Sequence, residues 1–130
     1  MPTDFSYAAT AGLKWASVLA HQCAAAVLLL HVIDINTRAT LGPAHDLMHA
    51  LWAEARNQMR EAARRLEPQV ETRVCLEEGL PWEIIVEKSK WCDLVVFGYR
   101  SKKPGHRMFS QRTTQRVLRN SNCPVILVPG

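Results

Sequence analysis

Three short apolar runs constrain this chain more than any other feature: residues 26–34 (AVLLLHVID), 93–99 (DLVVFGY) and 123–128 (CPVILV). Each has the length of a strand and little polar alternation, the pattern of a strand buried on both faces. A fourth run, residues 70–77, alternates with Val70, Thr72, Val74 and Leu76 on one face, a weaker strand signal. Stretches of helical period lie between them. One follows Asp4-Phe5-Ser6 and runs to about His21, with Leu13, Ala16, Leu19 and Ala20 as its apolar face and Asp4 or Ser6 as its cap. A second runs from Pro43 to about Leu66, and Pro68 closes it. A third opens with Pro81 at its first position and extends to about Lys90. A fourth covers residues 111–120. Helix and strand therefore alternate, which predicts an α/β single-domain sandwich, residues 1–130, with helices on both faces of a parallel sheet. Ligands of such sheets sit beyond the carboxyl ends of the strands. The segment entering the first helix and the loop after DLVVFGY occupy that position.

The longest apolar stretch is far shorter than the about 20 residues of a membrane helix. At 48% hydrophobic and 22% charged residues, the chain is too apolar to be disordered. No basic stretch and apolar block follow Met1, and Cys23, Cys75, Cys92 and Cys123 form no C-x-x-C pair. These features predict a cytoplasmic protein with free thiols and no membrane partner. Charge is unevenly placed. Residues 94–130 carry seven Lys/Arg and no carboxylate, whereas residues 1–93 carry nine Lys/Arg and 12 Asp/Glu. A local basic segment is either a solvated face or an anion-binding surface.

Four blocks carry a family resemblance: Pro2-Thr3-Asp4-Phe5-Ser6 opening an Ala-rich helix, His31-Val32-Ile33-Asp34, Asp93-Leu94-Val95-Val96-Phe97-Gly98, and Gln115-Arg116-Val117-Leu118-Arg119 leading into CPVILV. In order and spacing, the chain resembles the universal stress protein family along nearly its whole length. The resemblance implies a five-stranded parallel α/β sandwich, homodimers paired through the last strand, and ATP binding in some members but not in those similar to universal stress protein A. Family chains begin with a full apolar strand ending Val-Pro-Thr-Asp. Here Met1 stands at the valine, so that central strand is largely missing. Its loss would leave buried backbone groups on two neighbouring strands unpaired, at roughly 1–3 kcal/mol each. One expectation is a native start upstream of Met1, with a GTG valine codon read as the initiator. An intact-mass measurement of the native protein tests it, and a value equal to the 14.7 kDa of this sequence would exclude it. The other is a real truncation, rescued by a partner or by a rearranged sheet.

ATP-binding relatives carry Gly-x2-Gly-x9-Gly-[Ser/Thr] after the fourth strand, where small residues let backbone N–H groups approach phosphates. Gly98 fills the first position, but Ser101, Gln111 and Arg112 stand at the other three. Side chains at 101 and 111 restrict that approach. The adenosine half is better kept: Asp4 matches the position near base and ribose, and Val32 matches the adenine-lining position. Asp4 reads equally as a helix cap and Val32 as strand core. Arg100, Lys102, Lys103, Arg107 and Arg112 cluster where phosphates would lie, as a substitute for backbone contacts or as a solvated loop. His45 and His49 have the spacing of a helical metal pair, but no third ligand is evident, and a solvated face is the preferred reading. Cys92 and Cys123 read as core. Trp15, Trp52, Trp82 and Trp91 are expected to pack on the sheet or on a second copy.

The expected function is that of a small non-enzymatic stress-response protein working through dimerisation by residues 123–128 and through protein contacts, with no firm cofactor and weak or no ATP binding. An adenine-nucleotide switch that holds ATP or AMP, with slow hydrolysis allowed, is the second reading. Anion or nucleic-acid binding by residues 100–119 is the third. With only Tyr99 and Phe109 flanking the basic loop, nucleic acid is the weaker partner.

Overall fold

In the computed structural model the described residues are 1–41, 45–66, 68–99 and 111–130. The elements follow the order α1 (Tyr7–Gln22), β1 (Val27–Asp34), α2 (Ile35–Leu41), α3 (His45–Arg64), β2 (Thr72–Gly79), α4 (Pro81–Ser89), β3 (Val95–Tyr99), α5 (Gln111–Asn120) and β4 (Val125–Pro129). The expected alternation is present, with one correction. α3 matches the expected second helix, but α2 is an additional helix over residues given no element in the sequence reading: the Asp34 carboxylate accepts the Asn36 N–H at 2.9 Å and starts it directly after β1. The expected helix start at Pro43 lies outside the described residues. No described helix is long and apolar enough to cross a membrane.

All described strand pairs are parallel. β1 pairs with β2 from Val27↔Thr72 to Asp34↔Gly79. β3 pairs with β4 from Val95↔Val125 to Tyr99↔Pro129. Among the described residues these are two separate two-stranded sheets. A stub of three residues, Met1 to Thr3, lines the edge of β1 away from β2. Met1 donates its amino group to the Leu28 carbonyl at 2.9 Å. Leu30 N–H donates to the Met1 carbonyl at 3.0 Å, and Thr3 N–H donates to the Leu30 carbonyl at 2.8 Å. Pro2 thereby forms a parallel bridge with Leu30. Residues 1–3 thus form a three-residue ladder on β1.

β1 is buried on both faces, as its composition predicts. Val27 and Leu29 face a cluster with Leu13, Ala20, Met59, Leu66 and Val70. Leu30 and Val32 face the opposite layer with Ile85, Val95, Phe97 and Val117. β2 differs from expectation. Val74, on the face that carries Val70, Thr72 and Leu76 in the sequence reading, is 52% exposed, whereas Cys75 packs inward. β2 is the outer strand of its pair, so one face meets water. Trp82 packs on the α4–α5 layer, whereas Trp15 and Trp91 are exposed and do not pack on the sheet, which leaves packing on a second copy as the expectation for them. All four cysteines are free thiols; Cys123 packs on the core, Cys92 is half-buried and Cys23 is exposed.

α1 lies almost on bare backbone. A Cβ on Gly98 would stand 2.0 Å from the Ala8 carbonyl oxygen, and one on Gly12 would stand 2.8 Å from Gly98 N. A Cβ on Gly130 would meet Ala8 Cα at 2.4 Å. The first two turns of α1 therefore fit against β3 and the end of β4 only because these residues have no side chain. On the far side, Ser89 Oγ accepts the Asn122 N–H at 2.9 Å and donates to the Val86 carbonyl at 2.7 Å, tying α4 to the turn before β4.

Gly98→Ala is expected to destabilise the fold by at least about 3 kcal/mol, because the overlap is with backbone that cannot swing aside. Urea denaturation measures it; a loss under about 1 kcal/mol contradicts the contact.

Candidate functional site

The turn from Thr3 to Ser6 is built from side chains that bond their own backbone. Thr3 Oγ1 accepts the Phe5 N–H at 3.1 Å, and Asp4 Oδ1 accepts the Ser6 N–H at 3.0 Å. Ser6, extended at φ −70° and ψ 165°, caps α1 by accepting the Ala9 N–H at 3.2 Å. Ser6 is thus the cap, and Asp4 orders the turn before it. Phe5 has φ 62°, a left-handed conformation that L side chains avoid. That backbone places its ring 4.3 Å from the His31 ring, tilted by 34°.

His31 interrupts the apolar run of β1, and the folded chain gives it a role that its place in the sequence does not reveal. Its Nδ1–H donates to the Thr3 carbonyl at 2.8 Å, which locks the turn to the strand. Burial lowers its pKa, while the Thr3 carbonyl and the Asp4 charge oppose that shift. The Met1 amino group is also buried, and desolvation takes it from 8.0 to about 6, against weaker pulls from Cys92 and Cys123.

The other predicted positions are placed as follows. Val32 is only 5% exposed and lies within the α4–α5 layer of the core. Gly98 is covered by the first turn of α1, so its small size has a packing reason independent of any phosphate. α1 thereby brings the Asp4 turn and Gly98 to one end of the sheet. Ser101 and the basic residues Arg100, Lys102, Lys103 and Arg107 lie outside the described residues. Gln111 opens α5, and Arg112 follows it in the first turn, exposed. The N-terminus of α5 carries no acidic residue in its first turn. His49 lies on α3, exposed, and the His45 side chain lies outside the described residues. Among the described residues no group of three or more His, Cys, Asp or Glu could hold a metal.

Two further clusters have no signal in the sequence. Glu77 pairs with Lys88 and accepts the Cys75 thiol at 3.3 Å. Burial, then this hydrogen bond, pushes the Cys75 thiol up, which makes it a poor nucleophile. In the other cluster, the Arg116 guanidinium lies 4.9 Å from the Trp82 ring centroid. Trp82 Nε1 is buried with no hydrogen-bond partner among the described residues.

The model of the universal stress protein family matches residues 1–129. The chain belongs to the universal stress protein family. It is 30% identical to universal stress protein MJ0577 of Methanocaldococcus jannaschii, over 98% of this chain and 91% of that one. The solved structure of MJ0577 superposes with a TM-score of 0.80 at 29% identity, covering 99% of this chain and 92% of that chain. UspA from Lactobacillus plantarum gives a TM-score of 0.70 at 25% identity, covering 98% and 93%. A universal stress protein solved in complex with cAMP shares the fold, with a TM-score of 0.66 at 18% identity and coverage of 99% and 93%.

The buried bases give a pH dependence. Between pH 8 and pH 6 the unfolded chain binds protons that the native Met1 amine and His31 refuse, so stability falls as the pH falls. For the chain with a free amine, the Met1 shift from 8.0 to about 6 corresponds to about 3 kcal/mol. Urea titrations at pH 8 and pH 6 should show about 2 kcal/mol of this loss, the rest falling outside that interval. His31→Asn, which keeps a donor for Thr3, should flatten the part of the curve below pH 6.5. Equal stability at both values contradicts the burial of these groups.

Proposed function

We propose that this universal stress protein domain is a non-enzymatic, cytoplasmic stress-response protein that acts by self-association and protein contacts, with weak or no ATP binding. The observation that carries the reading is Gly98. It is the one retained glycine of the phosphate-binding pattern, and the space a side chain would take there is filled by α1: a Cβ would stand 2.0 Å from the Ala8 carbonyl oxygen. The other pattern positions carry Ser101, Gln111 and Arg112 in place of glycine, glycine and Ser or Thr, a sequence that lacks the small residues of the family's phosphate grip.

The free edge of β4 supports the self-association. Val95 N–H donates to the Pro124 carbonyl and Gly130 N–H to the Tyr99 carbonyl. By strand alternation, the backbone groups of Val125 and Leu127 point away from β3. Ile126, on the same strand, is 39% exposed. An apolar strand with open backbone groups pairs readily with a second copy.

A second reading is favoured by one observation: the ordered Asp4 turn stands at the same end as the exposed Arg112, and one relative of this fold was solved with cAMP. In that reading the domain is an adenine-nucleotide switch, with Asp4 at the ribose and Arg112 at the phosphates.

Isothermal titration of ATP and AMP separates the two. The first reading expects no saturation below about 1 mM. Saturable binding that Asp4→Ala and Arg112→Ala each weaken would replace it with the second. Light scattering tests the association: the expected mass is twice 14.7 kDa, and Ile126→Lys should return it toward 14.7 kDa. A wild-type monomer at high concentration refutes pairing through β4.

A further inference from the structure

The outward face of α5 is a line of uncompensated arginines. Arg112, Arg116 and Arg119 follow i, i+4, i+7 spacing, which sets them on one helical face and spans about 10 Å. All three are exposed, while Thr113, Thr114 and Val117 of the opposite face are buried. Among the described residues, none of the three has a carboxylate within ion-pair distance. The contrast with α3 is direct: its arginines are interleaved with Glu54 and Glu61, and Arg64 pairs with Glu61 at 2.7 Å. A purely solvated face would not need an arginine held in place, yet Arg116 is held over Trp82. Stacking on an indole restrains the guanidinium and leaves its edge N–H groups free to donate.

We propose that this α5 face docks an acidic segment of a partner protein, with carboxylates set about one helical turn apart. Charge complementarity selects the sign of the partner, and the planar fork of each guanidinium suits bidentate pairing with carboxylates. The surroundings select a short peptide over a nucleic acid. Among the described residues the exposed side chains of α5 beside the arginines are Gln115, Leu118 and Asn120, none of them aromatic. Trp82, which packs against this helix, lies under Arg116. α4, which packs against α5, exposes Glu83, a carboxylate that repels a long polyanion more than a short segment, while Glu87 is paired with Lys90 at 2.6 Å. This surface stands apart from the nucleotide question, since only Arg112 is shared with it.

A fluorescein-labelled polyglutamate peptide, titrated at low salt and read by anisotropy, tests the proposal. The wild-type chain should bind it with an affinity that falls as salt rises. The triple variant R112Q/R116Q/R119Q should bind about tenfold more weakly. The control R56Q/R60Q/R64Q removes the same charge from α3 and should leave binding unchanged. Trp82 acts as a positioning residue: Trp82→Leu should weaken binding about threefold, and Trp82→Phe, which keeps a ring beneath Arg116, should restore it. Circular dichroism melts verify that each variant is folded. Failure of the wild type to bind, or an equal loss in both triple variants, overturns the proposal. Tighter binding of an oligodeoxythymidine of equal charge also overturns it, and assigns the face to nucleic acid.

Discussion

Among the described residues, the main-chain bonds between Met1–Thr3 and Leu28–Leu30 hold the only backbone that enters the seam between the two strand pairs. The Met1 side chain packs against two clusters at once, the one under α3 and β1 and the one between α1 and β3–β4. Its thioether is flexible enough to fit an irregular gap between them. The cost appears as a buried amine, whose desolvation is partly offset by a single carbonyl. The Thr3–His31 contact and the strained Phe5 then hold the exit of the stub in register.

The placement of α1 depends on that arrangement. Its glycine contacts draw it onto β3 and β4, and this position leads the Asp4 turn to the end of the sheet where ligands of parallel α/β folds bind. A glycine in a motif is easily assigned to ligand binding. At Gly98, the nearest atoms beyond its own strand belong to a helix, so conformational and steric freedom is already used for packing.

The apolar runs made β1, β3 and β4 legible, because strands covered by helices on both sides need no alternation. Pro81 and the capping Ser6 likewise marked α4 and α1. What escaped was information carried by distant contacts. Alternation along β2 did not reveal which face was wet, because that depends on β2 being outermost. Asp34 read as the end of a strand, and only its bond to Asn36 shows it starting α2. Of the site, the Asp4 turn was visible in the motif, but the partnership of Phe5 with His31 was not, nor that of Trp82 with Arg116. The lone histidine within the apolar run was the available signal for the first. No local pattern announces the second, since α4 and α5 meet only in the folded chain.

The division of the sheet has a consequence for how the molecule opens. α1 packs chiefly on β3 and β4, whereas α3 packs on β1 and β2. Each half carries its own helix and its own hydrogen-bonded ladder, and the two meet along a boundary with few main-chain links. Proteins open in cooperative units that follow such boundaries. Amide exchange in this chain should therefore fall into two classes, with the amides of Thr3 and Leu30 at the boundary exchanging first. A single exchange class shared by all four strands would show instead that side-chain packing across the seam couples the halves as firmly as a continuous sheet.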